Sequence, residues 1–132
     1  MDDDIGSGDV SLSELQLSLM RVLWQRGEAS TAEVAEALRG ERDLAHTTVA
    51  TLLTRLEKRG LLASRREGRA LLYTPRVSET DVQRSMVGSL LDQLFAGRPS
   101  ALVSHLLDAR GVDAAELAEL QALLKQRKGD TR

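Results

Sequence analysis

A mainly α-helical fold carrying one small β-hairpin is the class this sequence predicts, and three observations lead to it. Apolar residues recur at helical spacing through most of the 132 residues. Two short β-prone runs, residues 61–65 and 70–74, flank Arg66-Glu67-Gly68-Arg69, a tight-turn sequence in which Gly68 can supply a positive φ. Aromatic residues are limited to Trp24, Tyr73 and Phe95, so Leu, Ala and Val fill the core, which suits helix packing better than a sandwich or barrel.

Taken in order, residues 1–10 are polar and acidic and read as a disordered tail. Ser11-Leu12-Ser13-Glu14 fits a capping box, with Ser13 as the other candidate cap, and opens a helix whose apolar face holds Leu12, Leu15, Leu19, Val22 and Leu23. Trp24 sits late on that helix and reads as core, and Gly27 ends it. Ser30-Thr31-Ala32-Glu33 is a second capping box, followed by Val34, Ala35 and Leu38, with Gly40 closing the helix. In the third helix Val49, Leu52, Leu53 and Leu56 form one apolar stripe. Gly60 stops it, and the hairpin follows, closed by Pro75.

Beyond the hairpin the chain is helical again. Ser78-Glu79-Thr80-Asp81 is a capping-type start, Gly97 and Pro99 interrupt, and Asp113 caps a last helix. These helices carry more Leu and Val than a short bundle buries by itself. Packing back on the first domain and a homodimer interface both account for that. Dimerisation is the favoured reading, through Val87, Leu90, Leu91, Leu94, Leu102, Leu106, Leu117, Leu120 and Leu124. The expected organisation is therefore a tail over 1–10, a first domain over 11–76 and a C-terminal helical dimerisation region over 77–128.

The third helix presents an oddity. Opposite its stripe lie Thr47, Thr51, Thr54 and Lys58, with Thr48 and Arg55 beside them. Threonine is a poor helix former because its branched Cβ loses rotamer freedom against the preceding turn. A helix lying in the major groove of DNA supplies a reason for so many. Short hydroxyl side chains let the backbone approach, bond phosphates or base edges, and offer a methyl to thymine. Charge is distributed accordingly. The chain totals −2, yet residues 1–10 hold −4 and residues 44–76 hold +5. The helices alone would also fit an ordinary three-helix bundle. The basic-tipped hairpin directly after the Thr-bearing helix favours a winged helix-turn-helix, whose wing arginines reach phosphates or the minor groove.

Several function classes are excluded. Cysteine is absent, which removes disulfides and thiolate metal sites, and His46 and His105 are too far apart in sequence to suggest a metal site. No nucleophile–base cluster and no Gly-rich phosphate loop occurs, so neither an enzyme nor a cofactor is expected. There is no apolar run of about eighteen residues and no signal-peptide pattern, so a cytoplasmic protein without membrane insertion is expected.

The run TTVATLLTRLEKRGLLASRREGRALLYTPRVSETD, with ELQLSLMRVLW before it, closely resembles the penicillinase-repressor family of winged-helix transcriptional repressors (BlaI/MecI/CopY type), over about residues 11 to 127. The resemblance implies a dimeric repressor bound to a palindromic double-stranded operator. In several members repression is relieved when a membrane sensor's protease domain triggers cleavage in the dimerisation region. Departures are specific. Family members often have Ser and Pro where Ala45 and His46 stand, so the usual hydroxyl cap is missing. The cleavage segment, Asn-Phe in the β-lactam-responsive members, falls at Ser104-His105. The copper-responsive branch uses a cysteine motif that is absent, and the resemblance assigns no role to the acidic tail.

The DNA-facing set expected from these readings is His46, Thr47, Thr48, Thr51, Arg55 and Lys58 on the helix, with Arg66 and Arg69 on the wing. Arg55 suits either a guanine edge or a phosphate. His46 either contacts DNA or begins the helix in place of a cap, and His105 reads as a packed or half-exposed histidine. The rival reading is a winged-helix module for protein–protein interaction without specific DNA binding.

Overall fold

The computed structural model describes residues 10–109 and 111–130, so the acidic tail expected over 1–10 lies, apart from Val10, outside the described residues. The elements run α1 (Glu14–Arg26), β1 (Ala29–Ser30), α2 (Thr31–Leu38), α3 (His46–Lys58), β2 (Leu62–Glu67), β3 (Ala70–Pro75), α4 (Glu79–Phe95), α5 (Pro99–Ala109) and α6 (Ala114–Asp130). The chain divides into two compact units, one reaching to Ser89 and the other beginning at Leu90.

In the first unit, α1, α2 and α3 bury one apolar core. Leu19, Met20 and Leu23 of α1, Val34 and Leu38 of α2, and Val49, Leu53 and Leu56 of α3 are buried together, with Leu52 packed against them. The stripe expected on α3 is thus its core face. Leu62 and Tyr73 from the hairpin, and Val77 and Val82 around the start of α4, belong to the same cluster. Trp24 is half-buried against it, and its indole N–H donates to the Val77 carbonyl at 2.9 Å. That bond satisfies the polar end of a large apolar side chain.

The caps explain the helix starts. Ser30 and Glu33 form the expected reciprocal box on α2. On α1 the box is made by Ser13 with Gln16, not by Ser11 with Glu14, because Leu12 before the cap is drawn into the core. Ala45 occupies the N-cap position of α3 and supplies no side-chain cap, as the missing hydroxyl implies. Gly27 and Gly60, both at φ 84, end α1 and α3. Ser78 Oγ accepts from the Asp81 N–H at 3.0 Å, and Asp113 Oδ1 from Glu116 at 2.8 Å.

The sheet has three strands rather than the two of a hairpin. Its order is β1-β3-β2, all antiparallel, with Ala29 opposite Tyr73 and Ser30 opposite Leu72. β1 has only two residues, formed where the chain passes from α1 to α2, and β3 becomes the central strand. The hairpin strands are longer than expected. Glu67 pairs with Ala70, which leaves Gly68 and Arg69 as a two-residue loop. Gly68 has φ 63 and Arg69 a negative φ, the sign pattern of a type II′ turn.

In the second unit, Ala96 at φ 51 and Gly97 at φ 76 end α4, and the Gly97 N–H bonds the Leu91 carbonyl at 2.9 Å. Pro99 serves as the first residue of α5, where its fixed φ suits a helix start. The Phe95 and His105 rings meet edge to face, with centroids 5.8 Å apart. Among the described residues, no side chain from Leu90 onward is buried.

Leu53 is wholly enclosed in the first unit. Leu53→Ala should lower unfolding stability by about 2–5 kcal/mol in a urea titration, through lost transfer energy and the cavity left behind. A loss well under 1 kcal/mol would contradict the packing described.

Candidate nucleic-acid interface

With Val49, Leu53 and Leu56 inside, the 3.6-residue period turns Thr47, Thr51, Arg55 and Lys58 outward, and all four are exposed, as are His46 and Thr48. Thr54 is also exposed, but its hydroxyl donates to the Ala50 carbonyl at 2.9 Å, bonding back to its own helix. Among the described residues, no other hydrogen bond engages the side chains of Thr47, Thr48 or Thr51, and no ion pair engages Arg55 or Lys58.

The arginines of the hairpin divide by strand geometry. Successive residues of a strand point to opposite faces. Arg65 turns toward Glu28, just before β1, and donates from Nε and Nη2 to its two carboxylate oxygens at 2.8 and 2.9 Å. Arg65 also lies 3.1 Å from Glu67. Arg66 points the other way, and with Arg69 in the loop it is exposed and without an acidic partner among the described residues. The hydrogen bonds from Arg65 hold the Glu28 carboxyl below the usual carboxylate range. Partial desolvation opposes this, while the Arg65 charge and the Thr74 hydroxyl add to it.

Arg59, the C-cap residue of α3, is committed differently, donating from Nη2 to the Ser11 carbonyl at 3.0 Å. Two of the seven cations in residues 44–76 are therefore engaged within the protein. The expected DNA-facing set omits both.

His46, Arg66 and Arg69 meet around one concavity of about 280 Å³, completed by Ser30, Thr31, Ala32, Ala70 and Leu71. It joins the start of α3, the start of α2 and the wing. The first turn of α3 has backbone N–H groups without a side-chain cap, and two guanidiniums and an imidazole stand nearby. Backbone donors at a helix start together with arginines favour a phosphate-sized anion. Sequence reading assigned nothing to residues 30–32 here, because Ser30 already has an explanation as a cap.

Ser104 and His105 lie exposed on α5. Of the residues expected to dimerise, Leu94 and Leu124 are the most exposed, at 68% and 67%, while Leu91, Leu102 and Leu120 are half-buried. No three His, Cys, Asp or Glu side chains among the described residues converge as a metal site. No helix among them is long and apolar enough to cross a membrane.

Comparison with known proteins adds three kinds of likeness. A sequence profile of the family described as "Penicillinase repressor" matches residues 12–126. The chain is 38% identical over 118 residues to the transcriptional regulator BlaI of Mycobacterium tuberculosis, covering 84% of this chain and 86% of that protein. It is 30% identical over 117 residues to the penicillinase repressor of Bacillus licheniformis, covering 89% and 91%. The solution structure of the DNA-binding domain of the repressor BlaI superposes with a TM-score of 0.51 at 32% identity, over 61% of this chain and 93% of that domain.

A carboxyl held down by its folded-state partner stabilises the fold above its unfolded pKa, and the contribution is lost as pH falls through the folded value. Carboxyl-resonance titration by NMR should therefore find Glu28 titrating below the ordinary value for a glutamate, and Arg65→Gln should raise it toward that value. An ordinary value for Glu28 in the unsubstituted protein would mean the Arg65 pairing is not populated in solution.

Proposed function

The chain belongs to the penicillinase repressor family, whose members are transcriptional repressors rather than enzymes, and from that membership we propose that it is a dimeric repressor of transcription. It binds a palindromic DNA operator through α3 and the wing. The observation that carries this reading is one surface: the outward face of α3 and the tip of the hairpin, set by the core, hold exposed threonines and cations that have no acidic partner among the described residues.

In this reading Thr47, Thr48 and Thr51 lie in the major groove, with His46 at its entrance and Lys58 toward the backbone. Arg55 reads a base edge bidentately. Arg66 and Arg69 clamp a backbone phosphate in the concavity they share with His46. The winged-helix domain is assigned to residues 11–76 and dimerisation to 77–128. Unburied leucines on α4, α5 and α6 support a second copy of the chain as what covers them. A symmetric pair of readers matches a two-fold operator. If induction is proteolytic, through a membrane sensor as in some relatives, the bond to be cut is Ser104–His105. α5 would have to unwind locally there, because a protease needs extended chain.

Two measurements on DNA test the reading. Arg55→Ala should weaken operator binding by about 1–3 kcal/mol and relax preference at one base pair. Equal weakening on operator and random duplex would reassign Arg55 to a phosphate. Arg69→Ala should lower the slope of log K against log salt by about 0.9, one phosphate contact, and an unchanged slope would remove it from the interface.

For the dimer, light scattering at micromolar concentration should give twice the chain mass, and Leu94→Glu should move it toward the monomer. A monomeric unsubstituted chain would overturn the assignment of residues 77–128.

A further inference from the structure

The basic face of α3 has a second candidate occupant within the same chain. We propose that the acidic segment of residues 2–9 docks on the exposed face of α3 in the DNA-free protein and is displaced by DNA, acting as a tethered competitor. The proposal rests on the assignment of that face to DNA.

Where the segment leaves the fold is the first argument. Val10 is buried, and its N–H donates to Ser85 Oγ at 2.8 Å. At the next residue the Ser11 carbonyl accepts from Arg59 Nη2 at 3.0 Å. Arg59 is the C-cap of α3 and follows Lys58 directly. The chain at Ser11 is therefore tied to the C-terminal end of that helix.

Reach is the second. Eight residues extended span at most about 25–30 Å. The thirteen residues of α3 rise about 20 Å at 1.5 Å each. All of the face from Lys58 to His46 lies within that radius.

Charge is the third. Asp2, Asp3, Asp4 and Asp9 face no basic side chain within residues 1–10. Arg55 and Lys58 have no acidic partner among the described residues, whereas Glu57, the acid next to Lys58, accepts from Ser64 Oγ at 2.6 Å. Exposed ion pairs are individually weak. Tethering compensates, because a short connection holds the segment at an effective concentration in the millimolar range. The competition is therefore mild, salt-sensitive and indifferent to base sequence.

The test uses the full chain and a variant carrying Asp2→Asn, Asp3→Asn, Asp4→Asn and Asp9→Asn, all outside the core. In the DNA-free proteins at low salt, amide NMR shifts of Thr51, Arg55 and Lys58 should differ between the two. The difference should vanish near about 500 mM salt, where screening is short-ranged. Random-sequence duplex should bind the variant about threefold to tenfold more tightly at low salt. Unmoved α3 amides overturn the docking even if affinity rises, since a long-range field would then account for it. Moved amides with unchanged duplex affinity overturn the competition. Failure of both forms to bind any duplex defeats the operator reading instead, and the amide shifts still decide whether the segment docks.

Discussion

One-sided burial of α3 is the constraint on which the rest of the first unit depends. At about 100° per residue, placing Val49, Leu53 and Leu56 inside fixes the rotation of the helix about its axis. Every outward residue is then determined, so the chemistry of Thr47, Thr51, Arg55 and Lys58 is delivered by the core as much as by those residues themselves. Leu62 and Tyr73 anchor the hairpin in the same cluster. Helix face and wing are therefore positioned by one set of apolar contacts, and disturbing that set displaces both together.

The two-residue strand β1 has an influence out of proportion to its length. By pairing with β3 it converts a hairpin, marginal by itself, into a three-stranded sheet. It also brings Glu28 to the base of the wing, where the carboxylate takes Arg65 in a two-point bond. Such bonding is geometrically selective because the guanidinium is a rigid planar fork. With Arg65 held on one face of β2, alternation sends Arg66 to the other. Glu28 thus sorts the wing arginines into one that builds the structure and two that remain available.

What was legible in the sequence follows the range of the interactions concerned. The stripe of α3, the box at Ser30 and Glu33, the stops at Gly27 and Gly60 and the loop at Gly68 all depend on neighbours within one or two helical turns or a single reversal. Their residue types carry the information locally. β1 was not legible, since Ala29 and Ser30 have no strand pattern and pair with residues more than forty positions away. The choice of Ser13 over Ser11 depended on whether Leu12 is buried, a tertiary fact. In the site, the exposed threonines could be read directly from helical phase. The commitment of Arg65 could not, because Glu28 stands 37 positions earlier. The basic count of residues 44–76 accordingly overstates the charge available to a partner.

A total charge of −2 looks ill-suited to a DNA reader only if charge acts as a sum. At physiological ionic strength exposed charges farther apart than about 8 Å are largely screened from one another. An approaching phosphate therefore senses Arg55, Lys58, Arg66 and Arg69, and hardly the acids elsewhere on the fold. In the proposed interface the local excess sets affinity, while the near-neutral total limits unspecific attraction between the whole molecule and any polyanion. An acidic segment matters in this balance only if it comes within a screening length of that face. Its root beside Arg59, at the end of the very helix that carries the excess, is what makes such an approach geometrically available.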